Sequence, residues 1–171
     1  ITPTANCITP GVLNVYLDNT CFASVPASTF NNNSSDNCNA SLNYTVGGLP
    51  NATFTSANLL TNPNTVILEV QDGSGNSSTC ATTVIVRDTV RPNVVCRPDT
   101  VQLNASGNAI VLPSNINNGS SDNCSNVGLT INGGPFVNLT CANIGTNTVT
   151  LTGTDGVGNL SLIHISEPTR R

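Results

Sequence analysis

An all-β fold of two tandem sandwiches is predicted by three observations. Asn, Ser, Thr, Val and Gly dominate a chain in which only 8% of the residues are charged. Short stretches alternate apolar and polar residues, and clusters of Gly and Asn interrupt them. A pattern about 86 residues long occurs twice. Thr and Val suit the pleated, half-buried surface of a strand, whereas Asn and Gly suit turns.

The repeat is read from matched segments. Asn33-Ser34-Ser35-Asp36-Asn37-Cys38 returns as Gly119-Ser120-Ser121-Asp122-Asn123-Cys124. Asn64-Thr65-Val66 followed by Asp72-Gly73-Ser74-Gly75-Asn76 returns as Asn147-Thr148-Val149 followed by Asp155-Gly156-Val157-Gly158-Asn159. Pro3 and Cys7 correspond to Pro92 and Cys96, and along the chain the offset falls from 89 to 86 to 83 residues. Loops absorb length changes of that size. The expected domains are therefore residues 1–88 and 89–171.

Within the first copy, strands are expected at 12–17, 21–25, 42–46, 52–55, 65–71 and 79–87. Val66, Leu68 and Val70 alternate with Thr65, Ile67 and Glu69, the period of two that marks a half-buried strand. Gly47-Gly48 and Asp72-Gly73 are read as hairpin turns. The second copy repeats the pattern through Thr148 to Thr154. Six or seven short strands in this length is the arithmetic of an immunoglobulin-like β-sandwich.

Composition excludes several functions. The chain has 171 residues, a formal charge of −4, no Lys, no Trp, no Met and a single histidine, His164. Phosphate binding needs clustered Lys and Arg, so a nucleic-acid surface is excluded. Acid–base catalysis lacks its usual proton carriers. No run approaches the roughly 18 apolar residues of a membrane span. Seven cysteines point to disulfides and an oxidising, extracellular or cell-surface location. The chain opens at Ile1 without Met or signal peptide, as expected of a mature product, a cleaved piece or part of a longer protein.

The pattern Pro-x-x-x-Cys, then Ser-Ser-Asp-Asn-Cys, then Phe-x-x-x-Thr-Cys-Ala-Asn-Ile-Gly-x-Asn-Thr-Val-Thr-Leu, then Thr-Asp-x-x-Gly-Asn, resembles the hyalin-type immunoglobulin-like repeats of large bacterial surface and secreted proteins. The resemblance covers residues 3–159 and implies spacer, adhesive or fibre modules rather than one defined activity. A second resemblance concerns the tail. Leu160 to Arg170 reads LSLIHISEPTR, which is similar to the translation of a sequencing adapter read through in frame. On that reading the genuine sequence leaves the chain near Asn159, and His164, Glu167, Arg170 and Arg171 drop out of the chemistry. The alternative is a genuine final strand, since Leu162 and His164 alternate with Ile163 and Ile165.

The family resemblance implies one disulfide from first to last strand and another closing the central hairpin. Carried over, these are Cys7–Cys80 in the first copy and Cys124–Cys141 in the second. The first copy departs from the pattern at Ser56, where the hairpin cysteine is expected, and has an extra Cys21. Cys21–Cys38 is the simplest pairing of the remainder. Cys96 is the odd one out, because its partner's position is occupied by Ile163, and a strand in the tail is expected to bring Ile163 near Cys96. A cysteine metal site or nucleophile has no support, as there is no Cys-x-x-Cys and no His before the tail.

In such a sandwich Asp88, Asp122 and Asp155 are expected to converge and to suit calcium, which prefers oxygen-rich flexible loops. The competing reading makes each Asp the cap of its own turn, with Arg91 offsetting the charge. Asp36, Asp72 and Asn76 hold the matching places in the first copy. Asn43, Asn51, Asn104 and Asn138 stand in N-glycosylation acceptor triplets, which this composition also produces by chance. The segment Val86-Arg87-Asp88-Thr89-Val90-Arg91-Pro92, with no Gly, reads as a stiff junction. These features predict a non-catalytic subunit of an extracellular fibre or long surface adhesin. Its partners are copies of itself or adjacent repeats, head to tail, with strand addition between subunits as one mechanism. The alternative is a spacer or glycan-binding accessory domain of a secreted carbohydrate-active enzyme. It is disfavoured by aromatic residues at only 4%.

Overall fold

A computed structural model describes residues 1–8, 12–38 and 41–169. The chain is all-β, with single-turn helices between strands, and forms two compact units divided after Thr89. Arg170 and Arg171 lie outside the described residues.

The first unit contains β1 (Val12–Tyr16), β2 (Phe22–Pro26), β3 (Asn43–Val46), β4 (Asn51–Thr55), α1 (Ser56–Leu60), β5 (Asn64–Gln71) and β6 (Ser77–Arg87). One sheet has the order β1-β6-β5-β3 and the other pairs β2 with β4. The expected alternation holds. Val66, Leu68 and Val70 of β5, Val84 and Val86 of β6, and Ala52 and Phe54 of β4 are buried, while Thr65 and Ile67 are exposed. Each fully buried Val, Leu or Phe side chain stabilises by about 1.5–3 kcal/mol. Phe30, wholly buried at the end of a single 3-10 turn (Ala27–Phe30), completes this core.

Two turns differ from expectation. Gly47 and Gly48, both at positive φ, make a tight turn, yet only Val46 and Leu49 bridge across it. β3 pairs with β5 and β4 with β2, so the chain crosses from one sheet to the other. The second unit repeats this at Asn132-Gly133-Gly134: β8 (Gly128–Ile131) pairs with β10 (Gly145–Thr154), and β9 (Val137–Thr140) pairs with β7 (Asn108–Val111). The sandwich is closed by these crossovers, because successive strands bury one face each on opposite sides of the same core.

The second unit's core is Val94, Val111, Ile116, Ile131, Leu139, Val149 and Leu151. Its matching contacts reproduce those of the first. Cys7 bridges Asn31 and Cys96 bridges Asn117; Thr4 bridges Ser35 and Asn93 bridges Ser121. β11 (Leu160–Thr169) pairs antiparallel with β10 and places Ile163 opposite Leu151, as Cys80 lies opposite Leu68. Ile163 and Cys96 pack against the same core.

One strand has no counterpart. In the first unit β1 runs parallel to β6, and the Leu17 N–H donates to the Arg87 carbonyl. That bond sets the parity by which Ile85 also points its N–H at β1. The aligned segment 98–102 of the second unit is not a strand. Pro168 stands where Ile85 stands and has no N–H to offer that edge.

Candidate functional site

The Ser-Ser-Asp-Asn-Cys motif folds the same way twice. Asp36 Oδ2 accepts from the Cys38 N–H at 2.9 Å, and Asp122 Oδ2 accepts from the Cys124 N–H at 3.0 Å. In both, Oδ1 is buried and finds no hydrogen-bond partner among the described residues. Asp122 Oδ2 additionally accepts from the Ser125 N–H at 3.1 Å and the Ser125 hydroxyl at 3.2 Å.

The Asp-x-x-Gly-Asn loops are also paired. Asp155 Oδ1 accepts from the N–H groups of Val157, Gly158 and Asn159 at 2.7–2.9 Å, and its Oδ2 accepts from the Asn159 side chain at 2.6 Å. Asp72 Oδ1 accepts from the Ser74 and Asn76 N–H groups, and Oδ2 from the Asn76 side chain at 2.8 Å. Thus Asp72 and Asp155 act as caps of their own turns, as the competing reading expects. Within the second unit, Asp122 and Asp155 are linked through Ser125, whose hydroxyl oxygen accepts from the Gly156 N–H at 2.9 Å. Asp88 directly follows β6 in the first unit.

The Asn76 side-chain hydrogen bond, with the backbone N–H groups of Asn76 and Ser74, holds the Asp72 carboxyl below the usual carboxylate range against the opposing effect of desolvation. Asp18 is lowered in the same direction, chiefly by the Thr20 hydroxyl. A folded-state pKa below the unfolded one contributes stability that is complete above the unfolded value, about 3.9, and is lost as pH falls through the folded value. Acid titration of thermal stability therefore shows a decline below that point, and Asp72→Asn makes it shallower. An unchanged acid profile in that variant contradicts the assignment.

The disulfide expectations divide. Cys7 and Cys80 are bonded, with 5.7 Å between their Cα atoms, within the range the bond requires. Cys38 and Cys141 are exposed free thiols, so neither Cys21–Cys38 nor Cys124–Cys141 forms. The crossover explains the second case. Cys124 precedes β8 in one sheet, whereas Cys141 directly follows β9 in the other, with its Sγ beside the Gly107 carbonyl at 3.8 Å. The turn between them was expected to close a hairpin and instead separates its ends. Cys21 enters β2 with φ 58°, a left-handed conformation that sequence gave no sign of.

Two grooves are open on the units. One of about 420 Å³ lies in the first, along Leu49, Ala52, Phe54 and Ile67; one of about 650 Å³ lies in the second, along Val101, Asn104, Ile110 and Asn138. Among the described residues, no titratable side chain lines either groove. Asn43, Asn51, Asn104 and Asn138 are all exposed. No helix among the described residues is long and apolar enough to cross a membrane.

No family model matches the chain, and no curated protein does. Among solved structures it is similar to the extracellular cadherin domains 1–4 of protocadherin gamma B7, with 16% identity and a TM-score of 0.41, over 98% of this chain and 49% of that one. It is similar to hemolin, an insect immune protein, with 10% identity and a TM-score of 0.42, over 98% of this chain and 46% of that one. Fibronectin(III)-like modules of CbhA from Clostridium thermocellum give 12% identity and a TM-score of 0.31, over 98% of this chain and 93% of that one. The chain spans about half the length of the protocadherin and hemolin structures.

Proposed function

We propose that the chain is a non-catalytic structural subunit of an extracellular fibre or long surface adhesin, arrayed end to end with copies of itself or with adjacent repeats. What carries this reading is the repetition itself. The same bridges, Cys7 to Asn31 and Cys96 to Asn117, recur in two units, each with a groove in which the described lining residues include no titratable side chain. A module duplicated without a reactive centre serves extension and contact. Strand addition between subunits supplies one means of joining, since it covers sheet edges that otherwise invite uncontrolled pairing.

Calcium at the expected aspartates, with Asp122 and Asp155 in the second unit, belongs to the same proposal. The buried Asp122 Oδ1, which no donor satisfies, supports it, because an unsatisfied carboxylate oxygen is costly without a cation or a hydrogen bond. Electron microscopy of the purified chain tests the assembly, with uniform filaments expected and monodisperse single particles overturning it. A chelator lowers the unfolding temperature if calcium is bound; an unchanged temperature leaves turn capping as the whole role of these aspartates.

A further inference from the structure

The chain contains two Asn-Gly pairs, Asn118-Gly119 and Asn132-Gly133, and the structure holds them differently. Asn132 sits at φ 48° and is locked to β10. Its N–H donates to the Thr150 carbonyl at 2.8 Å, and its side-chain Oδ1 accepts from the Thr150 N–H at 2.8 Å. Asn118 is exposed, and its N–H donates to the Val95 carbonyl at 2.8 Å. Its side chain makes no hydrogen bond among the described residues, and neither does the Gly119 N–H. Gly119 has φ 80° and nothing within 4 Å of where a Cβ would be.

We propose that Asn118 is a site of spontaneous deamidation. The Gly119 backbone nitrogen attacks the Asn118 side-chain carbonyl carbon, forming a C–N bond and closing a succinimide. The side-chain nitrogen leaves as ammonia, carrying the proton lost from the Gly119 nitrogen. Water then opens the ring at either carbonyl, giving aspartate or isoaspartate at position 118, with no oxidant or reductant required. Glycine matters because no side chain shields the attacking nitrogen. The first unit is protected at the matching place, where Asn33 at φ 57° follows Asn32 and brings a β-carbon of its own. The Asp-Gly pairs at Asp72 and Asp155 are protected too, since both carboxylates are held in their turns by hydrogen bonds from Asn76 and Asn159.

The position gives the change a consequence. Ser120 clamps the first segment of the second unit: its hydroxyl accepts from the Val95 N–H at 3.0 Å and donates to the Asn117 side-chain oxygen at 2.6 Å. Isoaspartate inserts a methylene into the backbone between that clamp and the Asn118 bond to Val95, and both products add a negative charge at position 118. Modified chains therefore unfold at a lower temperature.

The test incubates the full chain, natively folded and in urea, at mildly alkaline pH. Peptide mapping by mass spectrometry follows both sites, and isoaspartyl methyltransferase labels isoaspartate. In the folded chain Asn118 converts at least about tenfold faster than Asn132, roughly the factor that one net hydrogen bond imposes. In urea the two rates become equal. Equal rates in the folded chain overturn the proposal, as does an Asn118 that converts only in urea. Asn118→Gln removes most of the native methyl label, and a label that stays at the parent level in that variant also overturns it.

Discussion

Replacing Cys7 and Cys80 together by alanine lowers the stability of the first unit by about 2–5 kcal/mol, the usual cost of losing a native disulfide from a small domain. The bond closes a loop with a sequence separation of 73. In the chain-entropy description a loop of that length restricts the unfolded state by about 4 kcal/mol. The double substitution is the appropriate one, because a single change leaves a buried thiol at the site: Cys7 is 5% exposed. Differential scanning calorimetry reads the result as a lowered first-unit transition, and reducing the parent chain reproduces it. If the double variant melts with the parent, the bond does not constrain the unit, and the core of β4, β5 and β6 alone accounts for its stability.

How far these features were legible in the sequence depends on what kind of information each needs. The strands were legible because alternation is local. Val66, Leu68 and Val70 announce β5 without reference to any other segment, and the expected 65–71 differs from Asn64–Gln71 by one residue. Partners are not local. A period of two says that a face is buried but not which strand lies beside it, so Gly47-Gly48 reads as a hairpin although it, like Asn132-Gly133, passes between sheets. The Cys124–Cys141 pairing rested on the central hairpin and fell with it, whereas Cys7–Cys80 needed only the first and last strands to meet. The capping of Asp72 and Asp155 was legible in the Asp-x-x-Gly-Asn loops. The buried Oδ1 of Asp36 and Asp122 was not, because sequence does not show which of two carboxylate oxygens finds a donor.

Ile163→Cys forms a new disulfide with Cys96 and raises the unfolding temperature of the second unit. Cys80 lies opposite Leu68 and is bonded to Cys7, which bridges Asn31; Ile163 lies opposite Leu151, and Cys96 bridges Asn117. Both positions already pack against one core, the arrangement that the register predicts for a bonded pair. A loop nearly as long as that of Cys7–Cys80 restricts the unfolded chain by a similar amount, about 4 kcal/mol. Loss of the isoleucine side chain and imperfect geometry reduce the net gain to about 2–3 kcal/mol. A tryptic map under non-reducing conditions identifies the cross-link, and the gain vanishes on reduction or in Ile163→Cys combined with Cys96→Ser. If position 163 and Cys96 fail to cross-link under conditions that oxidise the exposed Cys38 and Cys141, β11 does not occupy the place that β6 holds in the first unit. In that case the equivalence of the two units ends at Asn159, where the tail begins.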